Sequence, residues 1–98
     1  MTMQPSDVVM LVNVLYFGHL REVTLKDKET IEMPSGATVG TLIEFLEGKY
    51  GPEYRTAMDA IKGLRILVDG RDHTLLGGKE APLNEGCTVV FLPPIAGG

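Results

Sequence analysis

Only one cysteine, Cys87, occurs in the 98 residues, which rules out an internal disulfide framework and suits a reducing compartment. Lysines and arginines form no cluster and the net charge is −4, so nucleic acid is set aside as a partner. Long apolar runs are missing as well. The longest, residues 8–17, is broken by Asn13 and is too short to cross a bilayer as a helix. The opening MTMQPSDVV has neither a basic segment nor a cleavage-like one, so no signal peptide and no membrane partner are expected. Repeats and low-complexity tracts do not occur. From these absences the expectation is a soluble cytoplasmic protein.

What is present suffices for one core, since 44% of the chain is apolar and its length is that of a common domain. Residues 1–7 are polar with Pro5 and read as a flexible leader. The run VVMLVNVLYF over residues 8–17 predicts a strand. Side chains alternate along a strand, so Met10, Val12, Val14 and Tyr16 share a wholly apolar face, the expected core face. Gly18 to Glu22 reads as a loop, residues 29–33 as a second strand, and Pro34-Ser35-Gly36 as its end. Thr38 is a plausible N-cap for a helix in which Val39, Leu42, Ile43 and Leu46 form the buried stripe, stopped by Gly51-Pro52. Residues 53–61 suggest a shorter helix. Residues 64–68 read as a third strand turned at Asp69-Gly70, Leu75-Leu76 as a short edge strand, and residues 88–92 as the last strand after the turn Asn84-Glu85-Gly86. The class is α+β, a mixed sheet with one main helix packed across it.

Several tempting sites fail on chemistry. His19, His73 and Cys87 come from separate segments without zinc-like spacing, so no metal site is expected. Cys87 has no local base or electropositive setting to make it a nucleophile. The carboxylates are scattered and are expected on solvent faces. Leu75-Leu76-Gly77-Gly78 is followed by Lys79, offers no free carboxylate, and reads as a turn.

The last eight residues, FLPPIAGG, are more informative. Pro93 and Pro94 fix φ, cannot join a strand ladder, and favour an extended stalk. Ile95 is an apolar anchor and Ala96 a small spacer. Gly97 and Gly98 carry no side chain, so a narrow tunnel in another protein can admit them. Glycine makes up about 7% of ordinary sequence, which gives a chance Gly-Gly end about once in two hundred chains. A final strand, a Pro-Pro stalk and Gly-Gly together are far more specific than that.

The end GCTVVFLPPIAGG and the opening strand with its exit, VLYFGHLRE, resemble the small subunit of molybdopterin synthase, the MoaD family. With the element order, the resemblance covers roughly residues 10–98. Residues 67–77 depart towards the ubiquitin-related modifiers and the small archaeal modifier proteins. The resemblance implies a β-grasp, ubiquitin-like domain over residues 8–94 with a protruding tail over residues 95–98. It further implies that the chain is a sulfur-carrying co-substrate and is not catalytic alone. An activating enzyme would adenylate the Gly98 carboxylate with ATP, and a persulfide sulfur would displace AMP to leave a thiocarboxylate. No cofactor would be bound; ATP belongs to the activating enzyme. The tail would then enter the molybdopterin synthase large subunit, which supplies the catalytic residues, for sulfur transfer to a pterin precursor in molybdenum or tungsten cofactor synthesis.

The partner surface expected beside that tail is Leu15, Phe17 and Leu92 on the outer face, with Pro93, Pro94, Ile95, Ala96 and Gly97. Val89 and Phe91 are expected to face the core. Two alternatives use the same activation step: a modifier joined through Gly98 to lysines of target proteins, and a sulfur donor for tRNA or thiamine. A β-grasp binding module with an inert tail would leave the Gly-Gly end unexplained.

Overall fold

The structure, a computed structural model, describes residues 9–94. Strand β1 (Val9–Tyr16) pairs antiparallel with β2 (Lys28–Pro34) and parallel with β5 (Thr88–Leu92). On the far side of β5 lie β3 (Arg65–Val68) and the two-residue β4 (Arg71–Asp72), so the order across the sheet is β2-β1-β5-β3-β4. Helices α1 (His19–Thr24), α2 (Val39–Tyr50) and α3 (Glu53–Ala60) connect the strands.

Alternation places the core where the sequence predicts it. Met10, Val12, Val14 and Tyr16 of β1, Ile31 and Met33 of β2, and Val89 and Phe91 of β5 are all buried. Against them pack Val39, Leu42, Ile43 and Leu46, the helix stripe of α2, with Tyr54 and Ala57 of α3. Burying such side chains contributes about 1.5–3 kcal/mol each before chain entropy is counted. Thr38 caps α2 by accepting from the Thr41 amide at 3.3 Å. Gly51 closes the helix with φ 87°, a left-handed value that glycine adopts without strain. The hairpin between β3 and β4 turns on Asp69 and Gly70, both at positive φ, the geometry that a two-residue turn requires.

Two local expectations are corrected. The stretch from Gly18 is not a loop but enters α1, whose Leu20 is fully buried. Thr24 supports that short helix by donating its hydroxyl to the Leu20 carbonyl at 2.9 Å. Leu75-Leu76 is not an edge strand. Asp72 accepts from the Thr74 amide and hydroxyl and winds His73–Leu76 into a 3₁₀ turn, leaving Arg71–Asp72 as the edge strand. Gly77 and Gly78, at φ 115° and 68°, continue as turn residues.

Candidate functional site

The strand residues expected at a partner surface, Leu15 and Leu92, lie on the sheet face opposite the helices. In the parallel register Leu15 stands beside Val90 and Tyr16 beside Phe91, while β3 sets Leu67 against Val90 and Arg65 against Leu92. Leu15, Val90 and Leu67 therefore make one apolar row across three strands, each half-buried. Phe17 and Leu92 each follow the buried Tyr16–Phe91 pair by one residue; Phe17 is 37% exposed and Leu92 half-buried. Pro93 is half-buried and Pro94 exposed. Ile95, Ala96, Gly97 and Gly98 lie outside the described residues. Leu15, Phe17, Leu92, Pro93 and Pro94 thus sit around the sheet end from which the chain leaves β5.

The row has a polar border. Thr30 donates its hydroxyl to the Asn13 side-chain oxygen at 2.9 Å, and the Asn13 amide group reaches the Gly86 carbonyl at 3.3 Å. On the other flank Arg65 lies 3.3 Å from Asp72. Hydrogen bonds from the Thr74 backbone and hydroxyl, then from Arg65, hold the Asp72 carboxyl down at about 2. The outer face is thus a hydrophobic strip with a polar rim.

The inner side of the sheet holds the second polar constellation. The Glu29 side chain, only 8% exposed, accepts hydrogen bonds from the Tyr16 and Tyr50 hydroxyls and from Lys49 Nζ at 2.6 Å. Burial alone would raise its pKa, but the donors Lys49, Tyr16 and Tyr50 outweigh it and hold the carboxyl at about 2. The expectation that carboxylates occupy solvent faces fails here. The signal was available: Glu29 shares the parity of Ile31 and Met33, both buried. Tyr16, Tyr50, Tyr54 and Phe91 pack ring on ring around it. The cluster fastens the end of α2 to the β1–β2 pair.

Cys87 is buried, and burial pushes its thiol up, the opposite of what a nucleophile needs. His19 pairs with Glu22, and His73 lies beside Asp72. Among the described residues no group of three or more His, Cys, Asp and Glu is placed to hold a metal, and no helix is long and apolar enough to cross a membrane.

A mixed five-stranded sheet with central parallel β1 and β5, crossed by a helix, is the ubiquitin-like β-grasp fold. The solution structure of small archaeal modifier protein 1 from Methanosarcina acetivorans shares it, with a TM-score of 0.72 over 93% of this chain and 99% of that one, at 24% identity. The chain belongs to the ThiS family, whose model matches residues 14–98. The molybdopterin synthase sulfur carrier subunit of Mycobacterium tuberculosis is 34% identical over 89% of this chain and 96% of its own. Small archaeal modifier protein 3 of Haloferax volcanii is 32% identical over 91% of this chain and 100% of its own. The Amycolatopsis orientalis BexX/CysO complex contains a chain that is 26% identical, with a TM-score of 0.68 over 89% of this chain and 99% of that one. The resemblance to the MoaD family read from the sequence holds.

Proposed function

We infer that this chain is a sulfur carrier whose Gly98 carboxylate is the reacting group. The observation that carries the reading is the placement of Pro93-Pro94. They follow β5, the middle strand of the sheet, directly after Leu92 at the end of the apolar outer face that carries Leu15 and Phe17. A partner gripping that face would receive the tail in the same encounter. In the reaction, the Gly98 carboxylate attacks the α-phosphorus of ATP on an adenylating enzyme and pyrophosphate leaves. A persulfide's terminal sulfur attacks the acyl carbon, AMP leaves, and a thiol cleaves the remaining sulfur–sulfur bond to give the thiocarboxylate. The carrier binds no cofactor of its own in this scheme.

The acceptor we favour is a pterin precursor held by a molybdopterin synthase large subunit, in the cytoplasm. Identity to sulfur carrier subunits of that synthase supports it. The body is residues 8–94, with residues 1–7 as a leader and residues 95–98 as the working tail. A second reading, conjugation through Gly98 to lysines of other proteins, draws on the 32% identity to a small archaeal modifier. Intact mass after incubation with an adenylating enzyme of the family, ATP and a persulfide donor tests the first step. One oxygen replaced by sulfur, lost on deleting Gly98 or extending past it, is the expected result; gain of sulfur by the extended chain would overturn it. An N-terminally tagged chain recovered from cells separates the acceptors. A partner released by denaturant supports the carrier, and Gly-Gly remnants on lysines support the modifier.

A further inference from the structure

We propose that Gly18 and Gly63 clamp the base of the tail, and that this clamp, not the prolines alone, presents the tail to the enzyme that activates it. The inference rests on the sulfur-carrier reading. Gly18 lies in the β1–α1 connection and Gly63 in the α3–β3 connection, far apart in sequence. Both have positive φ, 58° and 76°. A Cβ placed on Gly18 would stand 3.7 Å from Pro93 Cγ, and one on Gly63 would stand 3.5 Å from Pro94 Cγ. Each proline ring therefore lies within a methyl group's reach of a different bare backbone.

The consequence is steric. Proline restricts its own φ, but two prolines in free solution would still swing about the bond that follows Leu92. Contact from a connection carried by β1 and another carried by β3 removes that freedom, because β1 and β3 are the two neighbours of β5. A methyl at either glycine would already stand at van der Waals distance from a ring, so a side chain that extends towards the ring meets it directly. Glycine serves twice here: it permits the left-handed turn and it leaves space for the stalk.

The variant that tests this is Gly63→Asn, because asparagine tolerates positive φ while its Cβ would stand 3.5 Å from Pro94 Cγ and its amide group adds bulk beyond that contact. We expect KM for the carrier in the adenylation assay to rise about tenfold, the order of one residue's backbone freedom, with kcat unchanged. Pro94→Ala removes the ring that Gly63 faces and should raise KM by a similar factor, and the double variant should be no worse than either single one, because both break the same contact. Strain at Gly63 alone would add to the loss from Pro94→Ala, so additive losses in folded protein overturn the clamp. Nuclear Overhauser contacts from Gly18 and Gly63 α-protons to the Pro93 and Pro94 rings provide a readout independent of activity. Their absence in the wild-type protein overturns the clamp even if adenylation proceeds. Contacts present in a chain that no adenylating enzyme of the family accepts would instead overturn the functional reading.

Discussion

Tyr16 donates its hydroxyl to Glu29 from the adjacent strand, so the last core residue of β1 is hydrogen-bonded to a carboxylate on the core side of β2. The same carboxylate holds Tyr50 and Lys49 at the end of α2. One acid thus joins three elements, and its protonation state enters the stability of the whole sheet.

The sign of that dependence follows from the pKa, which falls from 4.5 to about 2 on folding. A depressed carboxyl stabilises the fold fully above its ordinary pKa and loses that contribution as pH falls through the folded value. Glu29→Gln is expected to cost about 2–3 kcal/mol at pH 7. Denaturant melts of the two proteins should draw together below pH 4.5 and nearly coincide by pH 2. A stability gap that stays constant with pH would show that the charge is irrelevant.

Two tyrosines in the same cluster are expected to respond in opposite ways. Tyr16→Phe removes a hydrogen bond to a charged acceptor and should cost about 1.5–3 kcal/mol. The Tyr54 hydroxyl is buried with no hydrogen-bond partner among the described residues, and burial drives its pKa upward. Tyr54→Phe deletes an unsatisfied group, so its stability should stay within about 0.5 kcal/mol of wild type or rise. Thermal melts of both variants side by side decide it; a larger loss for Tyr54→Phe would reveal a partner for that hydroxyl.

On the outer face, Leu92→Glu and Phe17→Ala should leave the fold intact, because both side chains are partly exposed. Binding to an adenylating enzyme of the family should weaken by about 1–3 kcal/mol, the usual loss on truncating an apolar anchor. Titration calorimetry beside thermal melts separates the two effects. Unfolding of either variant would place these residues in the core instead.

Thr38→Ala removes the cap of α2 and should cost about 1 kcal/mol. In a domain of this size that is about 4–8 °C in melting temperature. An unchanged melt would mean that solvent replaces the cap.

Strands β1, β2, β3 and β5 and helix α2 were legible from sequence pattern, most plainly the alternation in β1 and the i, i+3, i+4, i+7 stripe from Val39 to Leu46. Helix α1 was not. It has six residues, no side-chain cap at Gly18, and ends on Leu25 at φ 61°, where glycine would have signalled the stop. Its stability comes from burying Leu20 and Thr24, a tertiary effect that a short window of sequence does not contain. Leu75-Leu76 misled because hydrophobic pairs suit either strand or turn. The deciding residue was Asp72, whose side chain captures Thr74 and bends the chain. For the site, the outer row could be derived from strand parity and neighbouring strands. The approach of Pro93 to the bare backbone of Gly18 and of Pro94 to that of Gly63 could not, since it joins connections with no sequence pattern in common.

The order of the strands also bears on how the protein is made. Of the described elements β5 leaves the ribosome last, yet it occupies the middle of the sheet, with β1 on one side and β3 on the other. Until it emerges, the early half of the chain has no neighbour for one edge of β1, and β3 has none for its inner edge. Among the described elements the sheet is therefore completed by an insertion, and non-local pairing of this kind is slow to form. A nascent chain interrupted before Thr88 cannot assemble the sheet. The segment that would meet an activating enzyme thus becomes available only on molecules whose central strand has been made.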